Sequence, residues 1–351
     1  MYDEKKDIVN EAVHGGDVYR NEVRLDFSVN LNPLEMPASV AEAMMSGIEE
    51  IHQYPDPKQQ KLRESIASFE GLSPEHIICG NGASELIMAA IHAVKPKKAL
   101  VTAPCYAGYA AALMAEDAVM EEYPLREENG FALDEGMLER IAADTDIVFV
   151  TDPNNPNGKL ISPDLKKEIA GKCAEHGAVL VIDECFLPLA GEWEERKDIS
   201  DKALHLRAFT KTFAIPGIRL GYMVSRDREL LESIRRHLPE WNVSRIAERT
   251  GEAAAKVIAE TDYIERSVRM IREERAYLAG ELAACGIRVY PGEANYLLIR
   301  SAPDLYDRLL AKGILIRRCA NFSGLDDTYF RIAVRRREEN EALIKAIGEV
   351  L

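Results

Sequence analysis

Short apolar segments alternate with amphipathic helical segments, and this alternation constrains the fold of the chain more than any other feature. The apolar segments are continuous aliphatic runs, which are typical of strands buried on both faces of a sheet. They cover residues 97–104, 146–153, 177–186, 203–210 and 217–225. Helical patterns separate several of them, as in residues 162–177. The sequence therefore predicts an α/β fold with a mostly parallel sheet covered by helices on both faces.

At residues 237–244 the alternation of apolar strands and helices gives way to a long charged helical pattern, and this change predicts the domain organisation. We expect an N-terminal arm over residues 1–30, a large domain over 31–240 and a small C-terminal domain over 241–351. One long charged helix at about residues 244–285 is expected to bridge the domains. The short strands and helices that follow it are typical of an α+β unit.

Charge and composition exclude several classes of function. The formal net charge is −15, and an acidic surface repels phosphate backbones, so we expect no nucleic-acid partner. A small anionic ligand stays possible, because a local pocket can be positive in an acidic protein. The six cysteines form no C-x-x-C pair and the seven histidines are scattered, so we expect no metal site.

The sequence also predicts a cytoplasmic location. The cysteines lie mostly in apolar segments, which favours buried thiols in a reducing compartment. The charged N-terminus lacks the apolar region of a signal peptide. No run of about 18 apolar residues predicts a membrane span.

Four polar residues lie at or just beyond the ends of predicted strands: Asn155, Asp183, Lys211 and Arg219. Ligands of open α/β sheets bind beyond the carboxyl ends of the strands. A buried carboxylate needs a cation or several donors, and a buried lysine without a partner loses its proton and becomes a nucleophile toward carbonyls. The alternative for Asp183 and Lys211 by themselves is a plain buried salt bridge.

Two further segments complete one chemical pattern. Residues 80–87, "GNGASELI", open a helix with small residues, which suits a phosphate; the alternative is an ordinary helix cap by Asn81 or Ser84. Tyr106 follows a predicted strand, where its ring could stack on a planar heterocycle or pack in the core. A lysine, an aspartate, an aromatic ring and a phosphate cup together indicate a pyridoxal phosphate site.

At these residues the chain resembles the fold type I pyridoxal-phosphate enzymes of the histidinol-phosphate aminotransferase branch, and within it the threonine-phosphate decarboxylases of cobalamin biosynthesis. The resemblance implies a large domain with a mostly parallel seven-stranded sheet and a small α+β C-terminal domain. It rests on the segments "HGGD", "DFSVNLNPLEMP", "YPDP", "GNGASELI", "DPNNPNG", "VIDECF", "TKTFAIPGIRLGY", "PGEANYLLIR" and "RRCANFSGLDDTYFRIAVR".

The resemblance implies a role for each residue around the cofactor ring. Lys211 carries the cofactor covalently and moves protons at the substrate Cα. Asp183 pairs with the pyridinium nitrogen, and Asn155 bonds the phenolic oxygen. Tyr106 stacks on the ring.

A second set of residues is implied to hold the cofactor phosphate. It comprises the amides of Ala83 and Ser84, the hydroxyl of Thr210 and the guanidinium of Arg219. Tyr54 of "YPDP" reaches the phosphate in the neighbouring subunit. The resemblance therefore implies an obligate homodimer with a shared active site.

On the substrate side, the resemblance implies a small phosphorylated amino acid. Arg331 meets its carboxylate and Arg317 its phosphate, because guanidinium groups pair well with both anions. His14 and Asn32 are further candidates for lining the pocket, and a loop cap or turn is the alternative for each.

The sequence departs from the family pattern at three positions. The usual "S-L-T-K" reads "AFTK", so Ala208 removes one hydroxyl from the phosphate cup, a loss of about 1.5–3 kcal/mol. Asn157 stands in "NPNG" where "NPTG" is commoner. Phe186 replaces the tyrosine that aminotransferases of this branch usually have, which favours the decarboxylases, as do "HGG" and "CANFSGLD".

We therefore expect decarboxylation of L-threonine O-3-phosphate to (R)-1-amino-2-propanol O-2-phosphate, and L-serine O-phosphate as a further possible substrate. The alternative enzyme is an aminotransferase that acts on histidinol phosphate or a related amino acid with 2-oxoglutarate. A cofactor-sensing regulator without turnover would need a fused DNA-binding module, and the sequence does not predict one.

Overall fold

The computed structural model describes residues 15–191, 193 and 203–351. In chain order the strands are β1 Leu25–Asp26, β2 Ile77–Gly80, β3 Lys98–Ala103, β4 Val119–Pro124, β5 Ile147–Thr151, β6 Val179–Asp183, β7 Ala203–Ala208, β8 Gly221–Val224, β9 Arg288–Tyr290, β10 Tyr296–Arg300, β11 Ile314–Leu315, β12 Arg317–Arg318 and β13 Tyr329–Ala333.

The described α-helices are α1 Ala38–Glu49, α2 Gln60–Glu70, α3 Ala83–Val94, α4 Gly108–Ala115, α5 Pro163–His176, α6 Leu187–Ala190, α7 Phe209–Thr212, α8 Arg228–Arg235, α9 Arg245–Glu260, α10 Tyr263–Ala284, α11 Leu305–Leu310 and α12 Arg337–Val350. Short 3₁₀ helices cover Pro74–His76, Glu127–Asn129, Glu135–Arg140 and Pro216–Ile218. None of the helices within this described part is long and apolar enough to cross a membrane.

The central sheet has seven strands in the order β2-β8-β7-β6-β5-β3-β4. Strand β8 is antiparallel to both its neighbours, and the strands from β7 to β4 are parallel. The predicted mostly parallel seven-stranded sheet is confirmed. The apolar runs did not reveal β2, which has four residues, or β4, whose residues are partly exposed at the edge of the sheet.

Helices cover both faces of this sheet because successive strand residues point to opposite sides. On β3, Val101 packs with Leu86 and Leu113 of α3 and α4. Its neighbour Leu100 packs on the other side with Leu165 and other residues of α5. The continuous aliphatic runs of the sequence therefore fill two separate cores.

A second, antiparallel sheet has the order β12-β13-β10-β9, and α10, α11 and α12 contribute to the core behind it. Part of the predicted arm belongs to this unit, because β1 pairs in parallel with β11 and Phe27 is fully buried in the same core. The domain boundaries at residues 30 and 240 stay a prediction.

The long charged segment contains two helices, α9 and α10, and the expectation of one continuous helix was wrong. Thr261 ends the first helix, since its hydroxyl bonds back to the Val257 carbonyl and also accepts the Tyr263 N–H. A side chain that competes for backbone groups in this way favours a helix end. Helix α9 packs against α1, where a Cβ at Gly47 would lie 2.7 Å from Ile246 Cα.

A buried ion network joins β6 and β7 on the face of the sheet opposite α3. Arg207 donates to Glu184, with an Nη2–Oε2 distance of 2.7 Å, and also to Glu70. Lys166 donates to Asp152 at 3.0 Å and lies 3.5 Å from Glu184. Paired buried charges tolerate few arrangements, so the network restrains the two strands that lead into the candidate site.

Candidate active site

A cavity of about 280 Å³ lies at the carboxyl ends of the parallel strands. It brings together most of the positions that the sequence predicted: Ala83, Ser84, Tyr106, Asn155, Asp183, Thr210, Lys211, Arg219, Arg317 and Arg331. Tyr54 and Asn32 are not part of its lining. His14 lies outside the described residues.

The sheet explains why these residues meet. Strand β6 ends at Asp183, and β7 leads into the one-turn helix α7, which carries Lys211. The predicted strand at residues 217–225 included Arg219, but β8 begins only at Gly221, and Arg219 lies two residues before it with a φ of +57°. Because β8 is antiparallel, its first residues lie at the same edge as the carboxyl ends of the other strands.

Lys211 is half-buried in a positive environment. Burial lowers its pKa to about 8, and the charges of Arg331 and Arg219 act in the same direction, whereas Cys185 and Asp183 oppose them. Its Nζ lies 5.8 Å from the centre of the Phe186 ring. An amine with this pKa has a large neutral fraction near physiological pH, as a nucleophile toward an aldehyde requires.

Asp183 is held by neutral donors. The Tyr109 hydroxyl donates to Oδ2 at 2.7 Å, and the Cys185 N–H donates to Oδ1 at 3.0 Å. Burial raises the pKa of this carboxyl, and the two donors lower it. A cationic ring nitrogen in the cavity would supply the charge partner that a buried carboxylate requires.

The start of α3 has the features of a phosphate site. Gly82 is the N-cap residue, with φ 81° and ψ 166°, and it has no side chain that could cap the helix. The Glu85 carboxylate in the first turn accepts the Asn81 N–H at 2.7 Å. The alternative of a cap by Asn81 or Ser84 was therefore wrong. A Cβ at Gly82 would lie 2.4 Å from Arg219 Nη2, so glycine allows the guanidinium to approach the free N–H groups.

Tyr106 lies beside this phosphate site. A Cβ at Gly108 would lie 2.2 Å from a ring atom of Tyr106, so glycine provides the space for the ring. The Tyr106 hydroxyl is 3.4 Å from Ser84 Oγ. The ring, the lysine, the aspartate and the glycine-lined helix start fit pyridoxal phosphate.

Two buried guanidinium groups also line the cavity. Arg331 donates to Asn155 Oδ1 and, at 2.9 Å, to the Ser28 carbonyl. Arg317 donates to Asn321 Oδ1 at 2.9 Å, and burial followed by the Arg331 charge lowers its pKa to about 10. Both cations bond to neutral oxygens in these contacts, which favours anionic ligands.

The sequence interpretation chose the wrong asparagine of "NLNP" for the cavity. Asn32 Nδ2 donates to Thr212 O and to Ser267 Oγ, both at 2.8 Å. Its Oδ1 accepts the Leu34 N–H at 3.0 Å, as expected for the turn alternative. Asn30 lines the cavity instead. Its amide atoms are buried and have no hydrogen-bond partner in the described structure. The sequence signal was ambiguous, because the same residue type occurs twice within three positions.

Tyr54 lies on the surface of its own chain. It is 80% exposed, and its ring centre is 4.9 Å from that of Trp241. Its role toward a neighbouring subunit stays a prediction. Among residues 15–191, 193 and 203–351, no group of three or more His, Cys, Asp or Glu side chains could hold a metal ion.

The family model for aminotransferase class I and II matches residues 22–347. This chain belongs to the class I and II aminotransferase family. Its cofactor is pyridoxal phosphate, and the fold is the type I fold of these enzymes.

The similar proteins carry the names of two different enzymes. The chain is 36% identical over 335 residues to threonine-phosphate decarboxylase of Salmonella typhimurium, covering 93% of this chain and 91% of the relative. It is 30% identical over 331 residues to histidinol-phosphate aminotransferase of Pyrococcus furiosus, covering 93% of both. The solved structure of histidinol-phosphate aminotransferase from Clostridium acetobutylicum is 33% identical, with a TM-score of 0.83 and coverage of 93% and 98%.

The contact between Gly82 and Arg219 leads to a prediction about cofactor affinity. Gly82→Ala would displace the guanidinium from the helix start, and we expect the Kd for pyridoxal phosphate to rise about tenfold or more, as for a lost charge-assisted hydrogen bond. Absorbance titration of the cofactor-free protein measures the Kd. Gly191→Ala is the matched control, because Gly191 has φ 89° and ψ 172° but a Cβ there would meet Val268 and Arg272 rather than Arg219. An equal Kd in both variants would contradict the role of Gly82.

The environment of Lys211 leads to a prediction about pH. We expect the rate of covalent cofactor uptake to rise with pH around a midpoint of about 8, because the neutral amine reacts. Arg331→Gln removes a neighbouring positive charge, so the midpoint should move up toward the ordinary lysine value of 10.5. Arg300→Gln, beside Glu127 at the surface, should leave it unchanged. Stopped-flow absorbance over a pH series measures the midpoint, and an unmoved midpoint in Arg331→Gln rules out the coupling.

Proposed function

We propose that this chain decarboxylates L-threonine O-3-phosphate to (R)-1-amino-2-propanol O-2-phosphate. The observation that carries the proposal is the pairing of Arg317 with Arg331 in the register of β12 and β13. The two residues are directly opposite each other and both side chains line the cavity. Like charges at such positions are destabilising, and a substrate with two anionic groups would offset this repulsion.

The two arginines would fix the substrate at both ends. Arg331 would bind the carboxylate and Arg317 the phosphate, so rotation about the Cα bonds would be restricted. The bound cofactor supplies an electron sink for the bond that breaks at Cα. Binding energy at the remote phosphate can therefore select which bond is aligned to break. After CO₂ leaves, Lys211 would return a proton to Cα.

Phe186 supports decarboxylation over amino-group transfer. Its ring packs edge-on against Tyr296, with centres 5.1 Å apart, and it lines the cavity near Lys211. It brings no hydroxyl to the position where aminotransferases of the resembling branch usually have tyrosine. We also propose a homodimer, since the exposed Tyr54 would then reach the partner's cofactor.

A histidinol-phosphate aminotransferase is the second candidate, favoured by the similarity to proteins of that name at 30% and 33% identity. Two assays together separate the candidates. We expect the cofactor-loaded protein to release CO₂ from L-threonine O-3-phosphate without any keto acid, in equal amount to aminopropanol phosphate. Absence of CO₂ together with glutamate formation from histidinol phosphate and 2-oxoglutarate would establish the aminotransferase instead.

The proposed role of Arg317 leads to a further prediction. Arg317→Gln should lower kcat/KM for L-threonine O-3-phosphate about 10- to 150-fold, the value of a hydrogen bond to a charged group. The slow reaction of unphosphorylated L-threonine should change little, because it lacks the group that Arg317 would bind. Steady-state CO₂ release measures both.

The adjacent arginine is the control for this prediction. Arg318 pairs with Asp307 and its side chain is 46% exposed, so Arg318→Gln should leave both substrates unaffected. Equal losses for the phosphorylated and unphosphorylated substrates in Arg317→Gln would show that Arg317 does not bind the phosphate.

A further inference from the structure

A buried tyrosine behind the cavity makes a contact that the sequence did not suggest. Tyr109 lies in α4 and is 1% exposed. Its hydroxyl donates to Asp183 Oδ2 at 2.7 Å and lies 3.0 Å from Thr151 Oγ1. Tyr109 thus links the last residue of β5 to the last residue of β6.

The direction of these hydrogen bonds follows from the chemistry of the groups. A phenol has one hydrogen, and an ionised carboxylate only accepts. If the Tyr109 hydrogen goes to Asp183, the Thr151 hydroxyl must donate to the Tyr109 oxygen. The three residues therefore form a directed chain from Thr151 through Tyr109 to Asp183, and such chains strengthen each member.

The ring of Tyr109 has little freedom to leave this position. It stacks on Phe149 with centres 4.9 Å apart and an interplanar angle of 21°. It also meets Tyr106 edge-on at 5.5 Å and 87°. A fixed ring fixes the donor, and the donor fixes one oxygen of the carboxylate.

We propose that Tyr109 is a positioning residue that holds the Asp183 carboxylate toward the ring nitrogen of the cofactor, and that Thr151 sets the direction of its hydrogen bond. Tyr109 and the Cys185 N–H each occupy one oxygen of Asp183. The remaining acceptor positions of the carboxylate serve the cavity. The proposal depends on the cofactor and not on the reaction proposed above.

The test compares two ligands that differ in one atom. Cofactor-free wild type and Tyr109→Phe are titrated with pyridoxal phosphate and with its carbocyclic analogue, in which CH replaces the ring nitrogen. We expect the Kd for pyridoxal phosphate to rise about tenfold in Tyr109→Phe, because the Asp183 carboxylate loses the hydrogen bond that orients it toward the ring nitrogen. The Kd for the carbocyclic analogue should stay within about twofold, since it has no ring nitrogen to pair.

Tyr222→Phe is the matched control. Tyr222 is also buried and donates to a buried carboxylate, Glu70, at 2.8 Å, but Glu70 does not line the cavity as Asp183 does. This variant should leave both Kd values unchanged. An equal rise for the two ligands in Tyr109→Phe would mean that Tyr109 only packs the site, and no rise for either would remove its role altogether.

Thr151→Val provides a second, nearly isosteric variant, and it decides the question if Tyr109→Phe does not fold. It should weaken the binding of pyridoxal phosphate but not that of the carbocyclic analogue, and by a smaller factor than Tyr109→Phe does. In the double variant, the Kd for pyridoxal phosphate should be within about twofold of the Kd in Tyr109→Phe alone, because Thr151 acts through the hydroxyl that this variant already lacks. Fully additive losses, or a nonselective loss in Thr151→Val, would overturn the directed chain.

Discussion

Repulsion among the cations that line one cavity is the constraint on which the rest of the site depends. Lys211, Arg219, Arg317 and Arg331 line one cavity in a chain with a net charge of −15. Burial and the neighbouring positive charges lower the pKa of Lys211 to about 8 and that of Arg317 to about 10. Such an arrangement costs folding free energy, and a phosphorylated cofactor and an anionic substrate would recover part of it. The acidic surface and the cationic cavity are therefore compatible.

The architecture of the sheet makes this concentration of charge possible. The reversed strand β8 brings Arg219 to the edge where β6 and β7 end. On the opposite face, Arg207 and Glu184 satisfy each other in the buried network. Asp183 ends β6 and Glu184 follows it, so successive side chains point to opposite sides and place Asp183 in the site and Glu184 in the network. One short segment serves both ligand binding and the cohesion of the sheet.

The sequence predicted the features that depend on local chemistry. Long aliphatic runs identified the central strands, and polar residues at their ends identified Asp183 and Lys211. The sequence did not predict the features that long-range packing determines. The partly exposed edge strand β4 has no apolar run, and Thr261 looks like an ordinary helical residue until its hydroxyl bonds are known. Tyr109 was missed because a buried tyrosine in an apolar helix is typical of a core, and only the distance to Asp183 distinguishes it.

Burial also decides which nucleophile in the cavity reacts with an aldehyde. Cys185 lines the same cavity as Lys211, and a thiolate there would compete with the amine. Burial disfavours the charged form of each group. Lysine is charged when it is protonated, whereas cysteine is charged when it is deprotonated. Burial therefore lowers the pKa of Lys211 to about 8 and raises that of Cys185 well above its ordinary value. The amine is free to react at a pH where the thiol keeps its proton, so one physical cause selects the lysine.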